Sequence, residues 1–180
     1  VTSQSRRERF EALAPELVEP LRRFLARRTD AATADDVLGD TLLVCWRRLD
    51  EVPVGAELPW AYGVARHCLA NAERGARRQR RVAARAATLD PPREQPGPGT
   101  DDPAVVDLHE ALAALPVDDA ELLRLWAWEQ LGAGEIATAL AITPNAASLR
   151  LHRARTRLRE ELGKIRSGAG HEQSTQRRTP

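Results

Sequence analysis

Apolar residues recur at steps of three and four along most of the chain, with polar residues filling the positions between them. Leu13, Leu17, Leu21 and Leu25 fall on one side of a stretch from Arg7 to Arg28. Leu38, Leu42, Cys45 and Leu49 do the same between Thr33 and Leu49. Ala61, Ala65, Cys68 and Ala72, flanked by Val64 and Leu69, repeat the pattern between Pro59 and Arg80. This is the α-helical period, and the spacing predicts three amphipathic helices. Thr33 followed by Asp36 three residues on has the form of a capping box, and Pro59 suits a first turn.

A second helical block begins near Ala104. "VVDLHEALAAL" stops at Pro116 and "DDAELLRLWAWEQL" ends at Gly132. Leu122, Leu125 and Trp126, with Leu115, are expected to form the bulk of this core. Gly134–Leu140 reads as a short helix and Ala141–Thr143 as a link. A longer helix follows, with Ala147, Leu151, Ala154, Leu158 and Leu162 as its buried stripe. Thr143 can cap that helix and Pro144 fits its first turn. A short helix, a three-residue turn and a longer helix is the helix-turn-helix pattern.

Between the blocks, prolines at 91, 92, 96, 98 and 103 and glycines at 97 and 99 cannot sustain a helix or a core. The expectation is an all-α chain of two small helical domains, 7–81 and 104–163. A flexible Pro/Gly-rich linker at 82–103 joins them, and a polar tail at 164–180 is expected to fray. A length of 180 residues suits one domain or two small ones.

Charge changes the picture. Lys and Arg number 27 against 26 Asp and Glu, but the net charge of +1 hides a segregation. Acidic residues crowd 30–50 and 101–121, while arginines crowd 66–85 and 150–159. A near-neutral total with basic blocks still permits nucleic-acid binding, because the local field matters. On the predicted third helix, Trp60, His67, Asn71, Arg74, Arg78 and Arg81 face away from the core stripe. Rings stack on bases, amides bond base edges and arginines hold phosphates. A half-buried tryptophan with a solvated basic end is the competing reading. On the last helix, Asn145, Ala146 and Ser148 near the N-terminus would face base edges in a major groove. Arg150, His152, Arg153 and Arg155 would reach edges or phosphates. On the second helix, Asp36, Asp40, Leu43 and Arg47 share the outward side. A leucine among charges is compatible with a protein-binding patch, although single surface leucines are common.

Catalysis finds no support. His67, His109, His152 and His171 are scattered, and the two cysteines, Cys45 and Cys68, lack zinc spacing and read as reduced packing residues. No glycine-rich phosphate loop or nucleophile elbow is present. No cofactor or metal is expected. No apolar run approaches a membrane span and the start has no signal-peptide pattern, so a cytoplasmic protein without membrane insertion is expected.

Three segments carry a family resemblance. "TADDVLGDTLLVCWRRLD" is similar to the core-binding region two of bacterial RNA polymerase sigma factors of the extracytoplasmic-function (ECF) group of the sigma-70 family. "PWAYGVARHCLANAERGARRQRR" resembles that family's promoter-melting segment. "ALAALPVDDAELLRLWAWEQLGAGEIATALAITPNAASLRLHRARTRLREEL" resembles its region four. The likeness covers nearly all of residues 8–163 in the family's order.

The resemblance implies a transcription initiation factor rather than an enzyme. Asp36, Asp40, Leu43 and Arg47 would dock on the clamp helices of the polymerase's largest subunit, with the flap region as a further contact. The Asp50–Pro59 loop and the Trp60–Arg78 face would read and hold the opened −10 element, and Asn145–Arg155 would read the −35 element. Promoter DNA, core polymerase and an anti-sigma factor or other inhibitor are the implied partners. The chain departs from the family pattern at Gly39, where Gln-Glu often stands in place of Gly39-Asp40. Gly132 replaces a capping serine or threonine, Ala141 a glycine of the motif turn, and Leu149 a small polar residue. Two alternatives remain: a stand-alone dimeric helix-turn-helix repressor or activator, and an adaptor or anti-sigma module without DNA contact.

Overall fold

The computed structural model describes residues 3–86 and 102–175. Every regular element among them is helical: α1 (Ser3–Ala26), α2 (Ala31–Arg47), α3 (Glu57–Ala86), α4 (Pro103–Ala113), α5 (Val117–Ala127), α6 (Ala133–Leu140) and α7 (Pro144–Thr175), with a 3-10 turn at Leu49–Glu51. The chain divides into two compact units. In the first, α1, α2 and α3 pack against one another pairwise. In the second, α4 and α5 pack on α7. Helix α6 leads into α7 through a three-residue turn.

The first core follows the expected leucine stripe of α1 and adds to it. Leu17, Leu21 and Leu25 are buried, as is Phe24, whose ring lies 4.9 Å from that of Tyr62 on α3. Leu13 is only half-buried. Pro15 and Pro20 lie inside α1 and each removes one helical donor. The helix continues through both because its buried ridge is held by α2 and α3. On α2 the buried face comprises Ala34, Val37, Leu38, Thr41 and Cys45. Thr41 is satisfied by donating its hydroxyl to the Val37 carbonyl at 2.7 Å.

Helix α1 spans Ser3–Ala26 rather than Arg7–Arg28, and α5 ends at Ala127, short of the Gly132 expected from its sequence. Other boundaries differ for local reasons. Helix α2 is capped by Asp30 rather than Thr33. The Asp30 carboxylate accepts from the Thr33 amide at 3.0 Å and from its hydroxyl at 2.8 Å, making Thr33 the third helical residue. Helix α3 starts at Glu57, so Pro59 sits within its first turn, where no helical donor is required. At its other end α3 runs to Ala86, into the segment expected to be linker, since no proline intervenes before residue 91. The remainder of that segment, 87–101, lies outside the described residues, and Asp102 caps α4 by accepting from the Ala104 amide at 2.9 Å. Helix α7 continues past Gly163, where fraying was expected, to Thr175. A Lys164–Glu161 ion pair at 2.7 Å and the Ser167 hydroxyl on the Gly163 carbonyl at 2.8 Å span the glycine.

The second core gathers Leu112, Leu115, Ala120, Leu123 and Ala154, with Leu108, Trp128, Leu151 and Leu158 packed against it. Trp126, expected in this core, is instead 39% exposed. The buried face of the last turns of α5 is occupied by Leu122, Leu123 and Leu125. Trp128, at the helix end, supplies the aromatic contact instead. Among the described residues no helix is long and apolar enough to cross a membrane.

Candidate functional site

Burial of one side of α2 leaves Asp36, Asp40, Leu43 and Arg47 on the other, all exposed, with Leu43 at 44%. The structure therefore brings these four residues onto one outward face. Gly39 lies on it as well, with open space where a Cβ would stand.

Between α2 and α3 the chain makes a short excursion. After the 3-10 turn, Val52 is buried, Val54 is 90% exposed and Gly55 takes a left-handed backbone with φ 80°. The Glu57 carboxyl is held below its usual range, first by the Gly55 amide and then by its own. Arg48 bonds Glu51 through Nε at 3.0 Å, which raises the guanidinium and lowers the carboxyl. The same guanidinium lies 5.4 Å from the centre of the Trp60 ring. Trp60 is thus half-buried beneath a cation. Sequence periodicity located it on the outward side but did not find Arg48, whose contact depends on the tight turn.

Along α3, His67, Asn71, Arg74, Arg78 and Arg81 are exposed, as the helical period requires once Ala61, Ala65 and Leu69 are buried. Arg74 donates to the Asn71 side-chain oxygen at 2.5 Å, which leaves the amide NH2 of Asn71 outward. The face passes from aromatic and amide groups to guanidinium groups along the helix.

The helix-turn-helix is built by local hydrogen bonds. Gly132 opens α6, and Glu135 closes half of a capping box by accepting from the Gly132 amide at 2.7 Å. At the other end of α6 the Ile142 amide donates to the Ala137 carbonyl at 3.0 Å and the Ala141 amide to Thr138 at 3.3 Å. That is the Schellman arrangement, which places a left-handed residue at Ala141; its φ is 52°. Thr143 caps α7 by accepting from the Ala146 amide at 3.2 Å.

With Ala147 and Ala154 fully buried, Asn145, Ser148, Leu149, Arg150, His152 and Arg153 are exposed on the remaining surface of α7. Ala146 is only half-buried. Two arginines are turned toward α5 instead. The Arg155 guanidinium lies 4.6 Å from the Trp126 ring centre, and Arg157 pairs with Asp119. Each sits beside the buried stripe, within reach of the neighbouring helix. Periodicity alone had grouped Arg155 with the outward cations.

Among the described residues no three His, Cys, Asp or Glu side chains are placed to hold a metal ion. Cys45 is buried and its thiol is pushed up to about 11, first by burial and then by the neighbouring Cys68.

A helix-turn-helix with an exposed polar and basic recognition face defines a class of DNA-binding regulators. Comparison with known proteins narrows it. The family described as "Sigma-70, region 4" matches residues 106–158. The chain is 32% identical over 164 residues to the RNA polymerase sigma factor CarQ of Myxococcus xanthus, an alignment covering 87% of this chain and 90% of that protein. It is 31% identical over 148 residues to the probable RNA polymerase sigma factor RfaY of Xanthomonas campestris pv. campestris, covering 77% and 36% respectively.

Two solved structures share the fold. One is the sigma factor RpoE in complex with the anti-sigma factor NepR from Bartonella quintana, with TM-score 0.59, 22% identity and coverage of 87% of this chain and 98% of that one. The other is CnrH in complex with the cytosolic domain of CnrY, with TM-score 0.51, 21% identity and coverage of 91% and 90%. The chain belongs to the RNA polymerase sigma factors of the sigma-70 family, in the ECF group, and its role lies in transcription initiation.

Proposed function

We propose that the chain binds core RNA polymerase through the first unit and directs it to promoters that both units read. The observation that carries this is the pair of dissimilar outward faces on the first unit. Leu43 stands among charges on α2, and an aromatic-amide-arginine surface runs along α3. The α2 face, Asp36, Asp40, Leu43 and Arg47, docks on the clamp helices of the largest subunit, and the flap region holds the second unit. Residues 7–81 thus act as region two and 104–163 as region four. The 50–59 loop, Trp60, His67, Asn71, Arg74 and Arg78 hold the opened −10 element. Asn145, Ser148, Arg150, His152 and Arg153 read the −35 element in the major groove, with Ala146 against the groove wall. Arg155 contacts DNA only by leaving Trp126.

Neither unit is large enough for a wide DNA interface, and arginine-phosphate contacts add salt-dependent affinity without specificity. Held at fixed spacing on polymerase, two modest readers gain from effective concentration. The free chain therefore binds promoter DNA weakly and the holoenzyme binds it well. The protein acts in the cytoplasm, and an anti-sigma factor of the kind bound to RpoE in its complex masks it until a signal arrives.

The test is transcription in a purified system. The chain is added to sigma-free bacterial core polymerase with sheared DNA from its own genome, and the 5′ ends of the transcripts are sequenced. Discrete starts that depend on the chain are expected, with shared upstream elements. Absence of starts with active core and folded chain, together with a dimer bound unaided to a palindrome, would replace this reading with a stand-alone repressor.

A further inference from the structure

The first turns of α1 reach far along the sequence to one short segment, the end of α2 and the 3-10 turn that follows it. Arg6 donates through Nη2 to the carbonyls of Trp46 at 2.7 Å and Arg47 at 2.9 Å, and through Nη1 to the Asp50 carboxylate at 2.9 Å. Its guanidinium also lies 5.4 Å from the Trp46 ring centre. One turn on, Arg9 donates to the Val52 carbonyl at 3.4 Å. Phe10 meets Trp46 edge-on at 5.3 Å.

The last carbonyls of a helix have no partner within it and carry the negative end of its dipole. A guanidinium is well suited to them, because its planar fork holds several acceptors in one geometry. One bond would suffice for a cap. Here two arginines engage Trp46, Arg47, Asp50 and Val52, four consecutive anchor points along the path into the loop. From that path the chain rises to the exposed Val54 and returns to Trp60, which lies under Arg48. Arg48 is in turn bonded to Glu51, inside the braced turn. The loop therefore leaves from a clamped point and ends beneath a side chain from the same clamp.

We propose that Arg6, assisted by Arg9, is a positioning residue for promoter opening. It touches no DNA. It holds the 49–56 segment in the one placement from which the loop and Trp60 meet the unpaired strand. The proposal rests on the assignment of that loop to the −10 element. Of the docking face, Asp36, Asp40 and Leu43 lie in earlier turns of α2, and Arg47 meets the clamp only through its main-chain carbonyl, so Arg6 engages none of the four docking side chains and assembly with polymerase is expected to survive its loss.

The experiment uses holoenzymes assembled with the wild-type chain, Arg6→Ala and Arg6→Lys. Assembly affinity for core polymerase is measured first. Strand opening on a duplex promoter is read by permanganate reactivity of unpaired thymines, and run-off transcription is then compared on that promoter and on the same promoter premelted over the −10 element. Arg6→Ala is expected to assemble as wild type, to open the duplex about tenfold more poorly, and to recover on the premelted template. Arg6→Lys, which keeps the charge and loses the fork, should fold in every case and fall between the two. Equal loss of assembly and opening, undiminished opening of the duplex, or failure of the premelted template to restore activity would each overturn the proposal. Wild-type holoenzyme that opens no promoter would instead refute the assignment of the loop, before any variant is compared.

Discussion

Ala141 offers the sharpest energetic test of the helix-turn-helix. It holds a φ of 52° at the end of α6, fixed by the two Schellman hydrogen bonds. An L-residue with a Cβ is strained there by about 1–2 kcal/mol. Glycine removes that strain but gives back about 0.4–1 kcal/mol through the greater freedom of the unfolded chain. The Ala141 side chain is exposed, so no packing is lost. Ala141→Gly is therefore expected to stabilise by about 0.8 kcal/mol, the difference between the two central values. In a small domain this raises the thermal midpoint by several degrees, at about 4–8 °C per kcal/mol. The assay is urea and thermal unfolding of the full chain followed by tryptophan fluorescence, with Trp126 and Trp128 reporting on the second unit. Gln130, with φ 57°, provides a second site for the same substitution. A lowered midpoint for Ala141→Gly would refute the reasoning, because it would mean that the turn is held by something the alanine methyl supplies.

Other expectations are independent of that turn. Asp40→Arg should reduce binding to core polymerase in a pull-down or fluorescence titration while leaving the unfolding midpoint within about 0.5 kcal/mol, since the residue is exposed; unchanged binding would remove α2 from the interface. Arg150→Ala should leave polymerase binding intact, weaken promoter binding by the holoenzyme and lower the salt dependence by about one unit of slope; loss of polymerase binding would contradict the division of labour. Cys45 ties stability to alkaline pH. Its folded value of about 11 lies above the unfolded 9.0, so its contribution is complete below pH 9 and is lost as pH rises toward 11, on the order of 2 kcal/mol. Unfolding at pH 8 and pH 11 should show a loss that Cys45→Ser reduces.

What the chain's pattern reveals by inspection is what depends on neighbours three and four residues away. The leucine ridge of α1, the three-residue turn before α7 and the exposed set on α2 all follow from helical period. Contacts between remote segments leave no such trace. Nothing near Arg6 marks it as the partner of Trp46 and Asp50, because the pairing depends on how α1 and α2 lie together. Trp126 and Trp128 are two residues apart and equally apolar, and only the end of α5 decides that Trp128 packs inward. Asp30 and Thr33 are both good caps, and three residues' difference in where α2 begins selects between them. Arg155 and Arg157 look like free cations until α5 supplies a ring and a carboxylate.

The continuity of α3 has one more consequence. Eighteen residues separate Trp60 from Arg78 on an unbroken helix. At 1.5 Å per residue that is about 27 Å, the length of roughly eight stacked nucleotides. Such a rod is a ruler with a phase. Inserting one residue near Asn71 would lengthen it by only about 1.5 Å but rotate everything beyond by about 100°, turning the arginines off the face that carries His67. Evolution can therefore exchange side chains along this edge freely, whereas changes in its length must come in whole turns.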